Sequence, residues 1–131
     1  MSKKILITGG AGYIGIELTK YLLKEKYKII VLDRFFFNNV ENYIKHPNLK
    51  VIKDDTRKIK NKYFRGIDIV IDLGALVIAP HGSKFYDEMT MSINFKSRLQ
   101  NAKLAKKNGV KRYIFSSSCS VYGFQKIKIC H

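Results

Sequence analysis

The chain has 131 residues, 46% of them hydrophobic and 12% aromatic, with two prolines, which excludes collagen-like, mucin-like and broadly disordered chains. Twenty-five Lys and Arg stand against ten Asp and Glu, a formal net charge of +15, so nucleic acid has to be weighed as a partner. The length implies one domain that buries roughly two thirds of its surface, with little room for a second one.

Lys3-Lys4-Ile5-Leu6-Ile7-Thr8 is a short apolar run of the kind buried on both faces of a parallel sheet. A glycine-rich turn follows, Gly9-Gly10-Ala11-Gly12-Tyr13-Ile14-Gly15, and Ile14, Leu18, Tyr21 and Leu22 then recur at helical spacing up to Lys26. Lys28-Ile29-Ile30-Val31-Leu32-Asp33 reads as a second strand ending in a carboxylate. Residues 34–48 form an irregular stretch containing Phe35-Phe36-Phe37-Asn38-Asn39 and closing at His46-Pro47-Asn48. Leu49-Lys50-Val51-Ile52-Lys53 is the third strand, and Asp54-Asp55-Thr56 leads into a short amphipathic piece reaching Arg65.

Gly66 restarts the pattern. Ile67-Asp68-Ile69-Val70-Ile71-Asp72-Leu73 is a fourth strand, followed by a loop over residues 74–83. Phe85, Met89, Ile93, Leu99, Ala102 and Ala105 then mark a long helix that Asn108-Gly109 stops. Val110-Lys111-Arg112-Tyr113-Ile114-Phe115 is a fifth strand running into Ser116-Ser117-Ser118. Strands alternating with helices imply right-handed crossovers and a parallel sheet.

The positive charge is spread along the chain, with 15 basic and 6 acidic residues in 1–65 and 10 and 4 in 66–131. Its densest runs, Lys58-Ile59-Lys60-Asn61-Lys62 and Lys103-Leu104-Ala105-Lys106-Lys107, alternate lysines with core positions, as a solvated helix face does. With 20 Lys, 5 Arg and 17 Ile, the bias reads as composition rather than a binding patch. Nucleic-acid binding is therefore the weaker reading.

No apolar run approaches the ~20 residues of a membrane helix, and Ile5-Leu6-Ile7 after Met1-Ser2-Lys3-Lys4 is too brief for a signal peptide. With Cys119 and Cys130 its only cysteines, the chain is expected in the cytoplasm. His46, His81 and His131 stand apart, so no metal site is expected.

Gly9, Gly12 and Gly15 lie at three-residue spacing between a strand and a helix, and Asp33 closes the next strand 18 residues after Gly15. That context is what a dinucleotide-binding fingerprint requires. Gly9 serves the tight turn, Gly12 the approach of backbone N–H groups to a pyrophosphate, and Gly15 close helix packing. The helix N-terminus adds partial positive charge. The Asp33 carboxylate can accept both ribose hydroxyls and repels a 2′-phosphate, which favours NAD. Arg34 beside it keeps NADP as the alternative cofactor.

Thr8-Gly9-Gly10-Ala11-Gly12-Tyr13-Ile14-Gly15 resembles the N-terminal motif of the extended short-chain dehydrogenase/reductases, the NAD-dependent epimerase/dehydratase family that acts on nucleotide sugars. Phe115-Ser116-Ser117-Ser118-Cys119-Ser120-Val121-Tyr122-Gly123 is similar to that family's serine-rich segment ending in Val-Tyr-Gly. The likeness implies a three-layer α/β Rossmann-type doubly wound parallel sheet of about five strands, in order 3-2-1-4-5, over residues 1–123. It implies a cofactor site of Gly9, Gly12, Tyr13, Ile14, Gly15, Asp33, Asp55, Thr56, Leu73, Gly74 and Ala75, with Asp55 toward the adenine amino group. Leu73-Gly74-Ala75 stands where the family carries Leu-Ala-Ala, a change expected to loosen one turn. Asn94 matches an asparagine that supports the site, and Ser118 a hydroxyl that hydrogen-bonds the sugar.

The family's acid/base is a Tyr-x-x-x-Lys pair on a later helix. Tyr122-Gly123-Phe124-Gln125-Lys126 has the spacing, but Tyr122 already belongs to the Val-Tyr-Gly match and Gly123 opposes a helix. Residues 124–131 form a divergent tail, and the family's substrate domain has no counterpart in these 131 residues. The chain thus reads as the N-terminal portion of a nucleotide-sugar epimerase or dehydratase that binds NAD weakly and does not turn over alone. A non-catalytic NAD(P)-sensing module is the alternative. Apolar sheet surface left uncovered would favour poor solubility or a homodimer.

Overall fold

The computed structural model describes residues 2–36, 44–77 and 84–123. Five parallel strands form one sheet: β1 (Lys4–Thr8), β2 (Lys28–Asp33), β3 (Leu49–Lys53), β4 (Ile69–Asp72) and β5 (Arg112–Phe115), in the order β3-β2-β1-β4-β5. The expected order therefore stands. In register, Ile5 lies between Ile29 and Ile69, and Thr8 between Leu32 and Asp72.

Side chains of a strand alternate between faces, and the two cores follow that alternation. Ile5, Ile7, Ile29, Val31 and Ile71 pack on one face with Ile16 and Leu23 of α1 (Tyr13–Lys24). Leu6, Ile30, Leu32 and Val70 pack on the other with Ile59, Phe64, Ile67 and Ala105. Helical elements on both faces make the sheet doubly wound, and both faces of the central strands are dry. This is why β1 and β2 read as unbroken apolar runs.

Two elements differ from expectation. The piece between β3 and β4 folds as two 3-10 turns, Thr56–Lys58 and Asn61–Phe64, which seat Ile59 and Phe64 in the second core. The single helix expected after residue 84 is α2 (Lys84–Thr90), a π-helical stretch (Met91–Lys96) and α3 (Ser97–Lys107). Lys58, Lys60, Lys62, Lys103, Lys106 and Lys107 are all exposed, as solvated lysines should be. At the sheet edge, Ile114 and Phe115 of β5 are about half exposed, at 44% and 49%.

Residues 37–43 of the irregular stretch, His81 with the rest of 78–83, and the tail 124–131 with Lys126, Cys130 and His131 lie outside the described residues. Among the described residues no helix is long and apolar enough to cross a membrane, and no three His, Cys, Asp or Glu gather as metal ligands would.

Candidate functional site: a cleft at the C-terminal edge of the sheet

The strands deliver Thr8, Asp33, Asp72 and Phe115 to one edge of the sheet, with the glycine turn at its centre. Gly9 has φ +69°, and a Cβ there would stand 2.5 Å from the Gly74 backbone, so two turns meet with no room for a side chain. A Cβ at Gly15 would lie 2.5 Å from Gly10 Cα, which fits the close packing expected of it. Gly12 is different: its φ is −75° and a Cβ would meet only the Gly9 carbonyl, at 3.4 Å. Neither the packing nor the backbone conformation of this chain requires glycine there.

Gly12 caps α1 with no side-chain bond, and the first turn holds no acidic residue. The opening N–H groups of the helix have no partners within it, and together with the helix dipole they suit an anion. Tyr13 and Ile14 stand at this mouth, 90% and 63% exposed. Asp33 reaches the same turn from β2: the Ala11 N–H donates to Oδ2 at 3.0 Å and the Phe35 N–H to Oδ1 at 2.9 Å. A carboxylate has about four acceptor positions, so Asp33 retains capacity for hydroxyl donors. Phe35 holds an uncommon φ of +56° beside it. This set fits a dinucleotide.

Asp54 and Asp55 sit at the exit of β3. The Tyr63 hydroxyl donates to Asp54 at 2.8 Å, and Lys60 is 3.3 Å away. Although partial burial opposes it, these contacts and the Asp55 N–H hold the Asp54 carboxyl below its ordinary value. Asp55 caps the first 3-10 turn by accepting the Arg57 N–H, at 2.9 Å. It also accepts Arg57 Nε at 3.1 and 3.0 Å and Nη2 at 2.5 Å, and Arg34 Nη1 lies 3.4 Å away. Hydrogen bonding from Arg57 dominates, and the Asp55 carboxyl is likewise depressed. The carboxylate expected to face adenine thus has two arginines as partners.

The loop after β4 is tight, a correction to the slack expected of Gly74. A Cβ on Gly74 would stand 2.8 Å from Arg98 Nη1, so the guanidinium fills the space that an alanine methyl would take. The Asn94 side chain, from the π-helical stretch, closes two bonds on Leu76: its Oδ1 accepts the Leu76 N–H at 2.8 Å and its Nδ2 donates to the carbonyl at 2.9 Å. Leu76 is thereby tethered to the helical layer.

Sequence reasoning missed the polar group beneath this loop. Asp72 has a fully buried side chain and forms an ion pair with buried Arg98. Its carboxylate also accepts the hydroxyls of Thr8 and Tyr113, and Asn101 Nδ2 at 3.4 Å. Arg98 Nη2 continues to Thr56 Oγ1 and Ser97 Oγ, both at 2.8 Å. Burial, and then the neighbouring charge of Asp72, push the Tyr113 hydroxyl far up, so it stays a protonated donor. One sign was available: a carboxylate closing a strand that is otherwise apolar needs a partner.

Ser118 follows β5 on the exposed rim, and its carbonyl accepts the Val121 N–H at 3.3 Å. Tyr122 closes a 3-10 turn, Cys119–Tyr122, and Gly123 follows at φ +61°. Tyr122 is therefore not on a helix that could align a lysine four residues on.

Residues 5–129 match the NAD dependent epimerase/dehydratase family. The chain belongs to that family. UDP-glucuronic acid decarboxylase 1 of Danio rerio is 33% identical over 124 residues, which are 92% of this chain and 28% of the relative. A UDP-N-acetylglucosamine 4-epimerase from Methanobrevibacter ruminantium, solved in complex with UDP-N-acetylmuramic acid, superposes with a TM-score of 0.89 at 30% identity, over 99% of this chain and 42% of that one. UDP-glucuronic acid 4-epimerase from Bacillus cereus, solved with UDP-glucuronic acid and NAD, gives a TM-score of 0.86 at 25% identity, over 97% and 44%. The chain thus spans under half the length of these relatives.

Proposed function

We propose that this chain is the NAD-binding portion of a nucleotide-sugar epimerase or dehydratase that works by transient hydride transfer. The observation that carries the reading is the mouth of α1: uncapped, free of acidic side chains, open at Gly12, and flanked by Asp33. Tyr13 and Ile14 would present N–H groups to the pyrophosphate, the Gly12 N–H being engaged by the Gly9 carbonyl at 3.3 Å. Asp33, oriented by Ala11 and Phe35, would accept the ribose hydroxyls. Bound there, NAD supplies an acceptor and donor of hydride.

Arg34 supports NAD over NADP. Its guanidinium lies 3.4 Å from Asp55 and 4.2 Å above the Phe36 ring, so its charge is drawn to those groups. Asp55 and Thr56 would line the adenine side, and Leu73, Gly74 and Ala75 the nicotinamide side. Ser118, on the rim beyond β5, would donate to a sugar oxygen and orient the substrate. NAD and UDP-sugars in solved relatives support this assignment. Tyr122 closes a 3-10 turn and Gly123 follows at φ +61°, which speaks against Tyr122 as the acid/base, and NAD binding without turnover is expected of the 131 residues. The same composition favours a cytoplasmic setting, and the half-exposed β5 edge favours pairing of two copies.

NADH fluorescence titration, followed by steady-state assays with UDP-sugars and NAD, tests the proposal. Saturable NADH enhancement without turnover is expected. No enhancement from a folded chain would contradict the cofactor assignment, and turnover would contradict the expected inactivity.

A further inference from the structure

Gly74 is held from two sides. Its Cα and N lie 2.5 Å from where a Cβ on Gly9 would be, and the site of its own Cβ is 2.8 Å from Nη1, 3.3 Å from Nη2 and 3.5 Å from Cζ of Arg98. The guanidinium cannot withdraw easily. Nη1 is paired with buried Asp72, Nη2 with Thr56 and Ser97, and Nε with Ser97 at 3.1 Å. A planar fork with several donors can hold three elements at once, which an ammonium cannot. It joins the end of β4, the turn after β3 and the start of α3. On the far side of Gly74 lies the glycine turn that opens α1.

We propose that Arg98 is a positioning residue for the cofactor groove: one guanidinium sets the Asp55–Thr56 wall and the Leu73–Ala75 wall, and residue 74 must be glycine because Arg98 is there. The proposal rests on the NAD reading above. A displaced Gly74 would press on Gly9 and thereby move the pyrophosphate cradle, although Arg98 itself touches no cofactor.

The test is a double-mutant cycle with Gly74→Ala and Arg98→Lys, read by NAD affinity and, without NAD, by Tm. The lysine keeps a cation on Asp72 but vacates the fork. Gly74→Ala alone is expected to weaken NAD by about tenfold or more. In the Arg98→Lys background the same change should cost less than about twofold, a coupling that a merely structural arginine would not give. Should Arg98→Lys fold poorly, the pair Asp72→Asn with Arg98→Gln removes both charges and serves as the background instead. Equal cost in both backgrounds, with NAD binding intact in the unaltered chain, would overturn the role of Arg98 and leave the cofactor reading standing. No saturable NAD affinity in the unaltered chain would overturn both, and the Tm cycle would then report only whether Arg98 and Gly74 touch.

Discussion

Asp72 and Arg98 form an ion pair with both side chains buried, joining the end of β4 to the first turn of α3 across 26 residues of sequence. Desolvating two charges is costly, and the pair is tolerable because every neighbour contributes a bond: Thr8, Tyr113 and Asn101 to the carboxylate, Thr56 and Ser97 to the guanidinium. Removing one partner strands the other. Arg98→Leu should therefore destabilise the chain by about 3–5 kcal/mol in urea unfolding. The neutral pair Asp72→Asn with Arg98→Gln should cost clearly less, and a loss below about 1 kcal/mol for the single change would show that the pair is not buried as described.

Gly15→Ala tests the packing of the helix on the turn. The new methyl would stand 2.5 Å from Gly10 Cα, backbone against backbone, so neither side can yield by rotating a side chain. Overpacking of this kind costs about 1–3 kcal/mol. Thermal unfolding should report a lower Tm with or without NAD. An unchanged Tm would mean that α1 does not approach the turn so closely.

The fold and half of the site were legible in the residues themselves. Buried parallel strands leave apolar runs, glycines mark the turn, and a carboxylate closes β2 beside that turn. What joins Asp72 to Arg98 was not legible, because it depends on β4 and α3 meeting in space. The π-helical stretch was hidden for a similar reason. Its periodicity is close to that of an α-helix, and its pairing through Asn94 with Leu76 depends on two elements meeting in space. The 3-10 turns after β3 seat Ile59 and Phe64 in the core, where the lysine spacing of residues 58–62 suggests a helix face.

Asp33 should set cofactor choice. With Asp33→Ala the ribose hydroxyls lose their acceptor and the repulsion of a 2′-phosphate disappears, so NADH affinity should fall by about tenfold or more while NADPH affinity holds or rises. Competition between the two cofactors, followed by fluorescence, reads the ratio directly. A ratio unmoved by the substitution would remove Asp33 from the site.

The Asp55 carboxyl is depressed in the folded chain by hydrogen bonds from Arg57, so it releases its proton more readily folded than unfolded. Its contribution to stability is complete above the unfolded carboxylate value of about 4 and is lost as pH falls through the lower folded value. Urea midpoints measured from pH 6 down to pH 2 should therefore fall at the acid end. Arg57→Gln should lower the midpoints between pH 5 and 6 and flatten part of that fall, so that the two profiles converge at the acid end. An acid slope identical in both chains would contradict the pairing.

The most direct measurement is calorimetric titration of NAD into the unaltered chain and Gly12→Ala, with Tm recorded for both. Position 12 has an ordinary backbone conformation, and an added Cβ would make only an ordinary contact with the Gly9 carbonyl at 3.4 Å, so a methyl should leave Tm nearly unchanged. It would, however, stand where the pyrophosphate must approach, and NAD affinity should drop by about tenfold or more. Equal NAD affinity in two equally stable chains would contradict the assignment of this turn as the cofactor cradle.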